Sequence, residues 1–292
     1  MVRGRPRLSS WRLHRGAAVP RNAQVSIVML VLDDAAAGAR CLDSIAAAGG
    51  PSREIVVVAN GTSDKGLEPL RGRDDHVLLR LAANTGFSGG CNLGGQIATA
   101  DHLVFLNDDV VVEPGWLEPL VDAASREPDL GAVGSLVLFP DGRIQDAGGY
   151  VWRNGVTSRL GFGERGLPPG AAGEHAADYV SACSMLVPRR AWERAGGMDT
   201  RFFPAYYEDV DLCLRMHALG LRIICEPASR VRHDVGHSTE EGWRQFIITR
   251  NHARLMERWR DELVAHEEPA ELEGPVLEHA VLRAMQRTAF AA

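Results

Sequence analysis

The chain has no long apolar run, no paired-cysteine motif and no acid in its first 24 residues. Its longest hydrophobic stretch, Val25 to Leu32, is interrupted at Ser26 and falls far short of the roughly 20 residues that a membrane-spanning helix needs. The N-terminus is basic but lacks an apolar h-region, so no secretory signal is expected. The five cysteines, Cys41, Cys91, Cys183, Cys213 and Cys225, are odd in number and never spaced C-x-x-C. A reducing, cytoplasmic compartment is the simpler reading. Leu30 to Gly38 holds no Lys or Arg. The cationic loop with which a nucleotidyltransferase steadies a transferred phosphoryl group is therefore missing.

What is present suits a soluble globular protein. The 292 residues suffice for one large or two small domains with a substantial core. Six arginines (Arg3, Arg5, Arg7, Arg12, Arg15, Arg21) sit in the first 24 residues, so the overall charge of −6 becomes −12 for the remainder. An acidic body argues against nucleic acid as a partner. Residues 1–23 are expected to be a disordered, solvated tail; contact with anionic lipid at the inner face of a membrane is the alternative.

After the tail, strands and helices alternate. Strands are expected over Val25–Leu32, Glu54–Ala59, Val77–Leu81 and His102–Leu106, with helices over Ala35–Ala48 and Leu93–Ala100. This rhythm implies an α/β fold, a mostly parallel Rossmann-like sheet flanked by helices, with ligands at the carboxyl ends of the strands. Further on, a helix is expected over Trp116–Arg126 and strands over Ala132–Phe139, Met185–Val187 and Arg222–Cys225. Arg159–Gly173 reads as a mobile loop, and two C-terminal helices cover Gln245–Glu268 and residues 275–288.

Three clusters carry chemistry. Asn107-Asp108-Asp109 closes a buried strand, where it reads equally as a turn or as a site for a hard cation such as Mg²⁺ or Mn²⁺. Glu208-Asp209-Val210-Asp211 opens a helix whose core face is Leu212, Met216 and Leu219. Acids in a first turn suit the helix dipole, but the aromatics just before them also suit a sugar-binding wall. A carboxylate placed there is expected to stay ionised and to accept a proton late in a reaction. His233 ends a strand-like run; a lone histidine is more often structural than a ligand. Asn84 to Gly95 is a glycine-rich loop feeding a helix, where backbone N–H groups could meet phosphate or simply pack tightly. Arg250-Asn251 is a further candidate phosphate contact. Trp243, Phe246, Ile247 and Trp259 are core by default, with a dimer face or a membrane-facing stripe as alternatives.

The ordered set of segments resembles the family 2 glycosyltransferases of GT-A fold, especially their rhamnosyltransferase-like branch. The matching pieces are Val25-Ser26-Ile27-Val28, Cys41-Leu42-Asp43-Ser44-Ile45, Glu54 through Asp64, Asn84 through Gly90, Phe105 through Val110, Gly196-Gly197-Met198-Asp199, the Glu208–Leu212 helix start and the His233-x-x-Gly236-x-Ser238 end. The resemblance spans about residues 24 to 255. It implies an inverting transfer of sugar from a UDP-, dTDP- or GDP-linked donor to a glycan, lipid-linked or small-molecule hydroxyl. It implies Asp109 and His233 as ligands of Mg²⁺ or Mn²⁺, and Asp209 as general base with Glu208 helping to place the acceptor. Asn107, Asp108, Asn60, Asn84, Gly86 and Asp33 would line the donor. Residues 24–111 would form the nucleotide-sugar half, 112–239 the acceptor and catalytic half, and 240–292 a C-terminal helical segment; a homodimer stays open. Two departures fall on the nucleotide pocket. Ala59 stands where the family commonly has Asp, and Val31-Leu32-Asp33-Asp34 replaces Thr-Tyr-Asn-Arg, so that Asp33 or Asp34 would have to take over a contact. A non-catalytic sugar-nucleotide or glycan-binding module on the same fold is the rival reading.

Overall fold

The computed structural model describes residues 11–33, 35–234, 240–270 and 274–286. Asp34, residues 1–10 of the tail, and Gly236, His237 and Ser238 lie outside the described residues. The first half runs β1 (Trp11–Arg15), β2 (Val25–Val31), α1 (Ala36–Ala48), β3 (Arg53–Asn60), β4 (Val77–Leu81), α2 (Gly86–Ile97), β5 (His102–Asn107), β6 (Val110–Val112) and α3 (Leu117–Arg126). There follow β7 (Leu130–Leu138), β8 (Ile144–Asp146), β9 (Gly149–Val151), β10 (Thr157–Arg159), β11 (His175–Ala176), β12 (Ser184–Pro188), α4 (Arg189–Ala195), α5 (Glu208–Ala218), β13 (Arg222–His233), α6 (Glu241–Leu263) and α7 (Gly274–Gln286). The main sheet has the order β1-β4-β3-β2-β5-β12-β7-β13-β11. β4, β3, β2 and β5 are parallel; β12 runs against both β5 and β7, and β13 lies parallel to β7.

Both faces of the sheet are covered, which is why its strands read as continuous apolar runs. Val25, Ile27, Met29 and Val31 of β2 pack with Cys41, Leu42 and Ile45 of α1 and Leu117, Leu120 and Val121 of α3. Val28, with Val56 and Val58 of β3 and Phe105 of β5, packs on the opposite face with Cys91 of α2, Leu212 and Met216 of α5 and Leu255 and Trp259 of α6.

Four expectations change. The tail forms a strand over Trp11–Arg15, antiparallel to β4. Its anchor is Glu54, a fully buried carboxylate that needs a cation and donors. Arg15 Nη1 supplies the charge at 2.8 Å, and Ser26 Oγ and the Thr99 N–H add hydrogen bonds of 2.8 Å each. Burial pushes the Glu54 carboxyl up, but these donors outweigh it and hold it below the usual range. Second, the strand expected to end at Cys225 continues to His233. Third, Ile247 and Trp259 are core, whereas Trp243 and Phe246 are more than half exposed and stack on each other at 5.4 Å. Fourth, the glycine-rich run is itself helix, from Gly86. A Cβ at Gly90 would strike Leu30, and one at Gly94 would strike Val28 and Val58. The glycines let α2 lie directly on the sheet. Gly94→Ala should therefore cost about 1–3 kcal/mol by overpacking, despite the roughly 1 kcal/mol of helix propensity it gains; urea unfolding checks this.

Candidate active site

The topology delivers every chemistry-bearing segment to one edge. β5 ends at Asn107, so Asp108 and Asp109 follow at the carboxyl edge of the sheet. α2 begins at that edge, after β4. β13 is parallel to β7 and finishes there at His233, paired with Val110 of β6. α5 leads into the start of β13, so its own first turn, Glu208–Asp209, lies back at the carboxyl edge. β8 folds back from the end of β7 and brings Gln145 and Asp146.

Asp109 and His233 meet. His233 Nδ1 lies 2.6 Å from Gln145 Oε1, while Gln145 Nε2 donates to His233 O at 3.4 Å. A carbonyl oxygen only accepts, so Nδ1 carries the donated hydrogen. Nε2 then faces Asp109 Oδ1 at 3.0 Å, with Asn107 Nδ2 at 3.4 Å. Asp109 Oδ1 is buried against this nitrogen. Two facing lone pairs at this distance repel unless a proton or a cation joins them. Without a metal, a proton fills the place. Burial pulls the imidazole down, but the Cys183 sulfur and the Asp109 carboxylate outweigh it and raise it to about 11. With a metal, one imidazole nitrogen and one carboxylate oxygen are a donor set suited to Mn²⁺ or Mg²⁺, with water and phosphate oxygens completing the shell. Among the described residues no three His, Cys, Asp or Glu side chains gather to cage a metal alone. Asp108, beside this pair, is pushed up to about 7 by burial and by the Asp109 charge.

The three acids of α5 have three fates. Glu208 is buried, its Oε2 has no hydrogen-bond partner, and burial together with Asp209 drives its carboxyl well above the usual range. Against the expectation of an ionised group, desolvation here opposes the charged form more than the helix N-terminus favours it. Asp209 is half-buried. Its Oδ1 accepts from the Val210 N–H at 2.8 Å and its Oδ2 from the Ala182 N–H at 3.3 Å. Burial raises its carboxyl, and these two donors limit the rise. Asp211 is fully buried and structural: Oδ1 takes Arg258 Nη1 at 2.6 Å and Trp259 Nε1 at 3.0 Å, and Oδ2 takes Arg215 Nε at 2.8 Å. The segment before β12 joins the two halves of the site. Ala182 holds Asp209, and the next residue, Cys183, accepts the Asn107 N–H through its carbonyl at 3.0 Å.

The expected donor-lining residues divide differently. Asn60 is buried and engaged on both sides of its amide. Oδ1 accepts from the Thr85 N–H at 2.8 Å and hydroxyl at 2.9 Å, and Nδ2 donates to Gly86 O at 3.1 Å and Asn84 Oδ1 at 3.2 Å. It shapes the loop rather than presenting a free amide. Asn84 Oδ1 also takes the Gly86 N–H at 2.8 Å. Gly86 has φ +74°, and a Cβ there would come within 2.7 Å of the Phe203 ring; glycine alone lets this loop meet the approach to α5. Asp33 is exposed beyond the end of β2, and Ala59 is buried against the α1 side. Gln145 escaped sequence reasoning. No motif marks it, and its partner His233 is 88 residues away.

A family model described as "Glycosyl transferase family 2" matches residues 26–183, more than half of the chain. The O-antigen biosynthesis protein RfbC of Myxococcus xanthus is 35% identical over 193 residues, covering 63% of this chain but only 15% of the relative. N-acetylglucosaminyl-diphospho-decaprenol L-rhamnosyltransferase of Mycobacterium tuberculosis is 31% identical over 211 residues, 63% of this chain and 67% of its own length. Among solved structures, GalNAc-T7 with UDP, GalNAc and Mn²⁺ superposes with a TM-score of 0.67 at 18% identity, over 83% of this chain and 49% of that one. The central sheet is thus of GT-A type.

Proposed function

This chain belongs to glycosyltransferase family 2, and we propose that it moves a sugar from a nucleoside-diphosphate donor to an acceptor hydroxyl, inverting the anomeric centre in one displacement. The observation that carries this reading is the opposed pair Asp109 Oδ1 and His233 Nε2 at the carboxyl edge, linked through Ala182 and Cys183 to Asp209. Asp109 and His233 would hold Mg²⁺ or Mn²⁺, whose chemistry here is to offset the charge that builds on the departing diphosphate. Gln145 fixes the His233 ring so that Nε2 faces that position. Asn107 and Asp108 flank the donor. Asp209 takes the proton of the acceptor hydroxyl as that hydroxyl becomes acidic. Its carboxyl, raised by burial, is a stronger base than an exposed aspartate. Burial and the Asp209 charge both oppose ionisation of Glu208 beside it.

The UDP and Mn²⁺ in the GalNAc-T7 complex support a nucleoside-diphosphate donor and a divalent ion. The diphospho-decaprenol in the rhamnosyltransferase relative's name supports a lipid-linked acceptor. No helix among the described residues is long and apolar enough to cross a membrane; a peripheral position at the inner face would bring the site to such an acceptor. A panel of UDP-, dTDP- and GDP-sugars, each with Mn²⁺ and a polyprenyl-diphosphate-linked sugar, tests the reading. One donor class should release its nucleoside diphosphate only with metal and acceptor present. Calorimetric donor binding without release would favour the binding-module reading, and binding of no donor would end both.

A further inference from the structure

The loop leading into α5 has an unusual backbone. Tyr206 and Tyr207 both lie at positive φ, 75° and 74°, where a bulky residue stays only if its surroundings hold it. The Tyr207 carbonyl starts the helix by accepting the Asp211 N–H at 2.9 Å. Three carbonyls of this loop, those of Phe202, Ala205 and Tyr206, converge on one nitrogen, Nδ2 of Asn251 in α6, at 2.8, 2.8 and 3.0 Å. With two hydrogens for three acceptors, one N–H is shared. Asn251 is fully buried. Its Oδ1 accepts from Arg250 Nε and Nη2 at 3.2 and 3.1 Å and from Arg254 Nη1 at 3.3 Å. The same arginines donate to the carbonyls of Phe203 and Arg201. A flipped amide would set its oxygen against three carbonyls and its hydrogens against two guanidinium groups, so its orientation is fixed. The Asn251 side chain is thus turned to the backbone of the loop before α5 rather than to a phosphate, the contact expected of it from the sequence.

We propose that Asn251 is a positioning residue for transfer: its amide sets the turn that aims the Asp209 carboxyl at the acceptor. This rests on the reading of Asp209 as the base. The rival is that Asn251 merely attaches α6 to the body. That attachment has its own lock, the Asp211–Arg258–Trp259 cluster and the contact of Arg258 with Asp199 at 2.7 Å. The two roles therefore separate experimentally.

Asn251→Asp keeps the size and the acceptor for the arginines but removes both N–H donors. In the full chain with Mn²⁺, kcat should fall about tenfold or more, while donor affinity and donor KM change by less than about threefold. Amide hydrogen exchange should accelerate at Asp211, whose N–H bonds the Tyr207 carbonyl, and stay unchanged in the last two turns of α5. Unaltered kcat per folded molecule, an equal loss of donor affinity and turnover, or unaltered exchange at Asp211 would each overturn the proposal. If Asn251→Asp does not fold, Asn251→Ala gives the same readouts. If the unaltered chain transfers no sugar, the exchange measurement alone still decides whether Asn251 sets this turn, independently of the proposed reaction.

Discussion

Asp209→Asn should lower turnover by about 10²–10⁴-fold, the range a positioned general base contributes, while donor binding stays within about threefold. The substitution keeps the shape of the side chain. Its remaining oxygen can still accept one of the two N–H groups, Val210 or Ala182, that hold Asp209, so the first turn of α5 persists. What disappears is the capacity to take a proton. In the unaltered chain, activity should fall as pH drops through the raised pKa of Asp209, because only the ionised form accepts the acceptor proton. That acid limb should lie above the usual aspartate range and be absent in the variant. The pH profile of kcat/KM, taken with calorimetric donor binding, checks both. Full turnover in Asp209→Asn would assign the base elsewhere.

Two residues along the same helix, the expected effect changes kind. Asp211→Ala should destabilise the fold by about 3 kcal/mol, because removing one partner of a buried ionic cluster leaves the others uncompensated. Arg258, Arg215 and the Trp259 indole N–H all end on this fully buried carboxylate. The arginines retain some contact with solvent, at 31% and 19% exposure, which keeps the cost at the lower end of the range. For a chain of this size the melting temperature should drop by several degrees. Turnover per folded molecule should change far less than in Asp209→Asn. A variant with an unaltered melting temperature and no activity would make Asp211 part of the chemistry instead.

The contrast between Asp209 and Asp211 was not read from the sequence and comes from the contacts of Arg258, Trp259 and Arg215. A spacing of two residues sends side chains to roughly opposite sides of a helix, but only the fold shows that Asp211 is the one buried. The central strands were legible, because a sheet covered on both faces needs the uninterrupted apolar runs of β2, β3 and β5. The start of α2 was not. Glycine reads as loop by propensity, and only the closeness of Leu30, Val28 and Val58 reveals that the helix needs it. β1 was missed for a similar reason: its anchor Glu54 lies 39 residues from Arg15 and gives no local signal. His233 carries no signature of its own beyond the resemblance, and Gln145 carries none at all. Both acquire their meaning from strands that meet only after the chain has folded.

The most direct measurement is Mn²⁺ binding, followed by its paramagnetic resonance, in the presence of a nucleoside diphosphate, for the unaltered chain and for Asp109→Ala and His233→Ala. The account predicts saturable binding at one site in the unaltered chain and a loss of about tenfold or more in each variant. Equal Mn²⁺ affinity in all three proteins would mean that Asp109 and His233 form only a proton-bridged pair, and the metal-assisted reading would be contradicted.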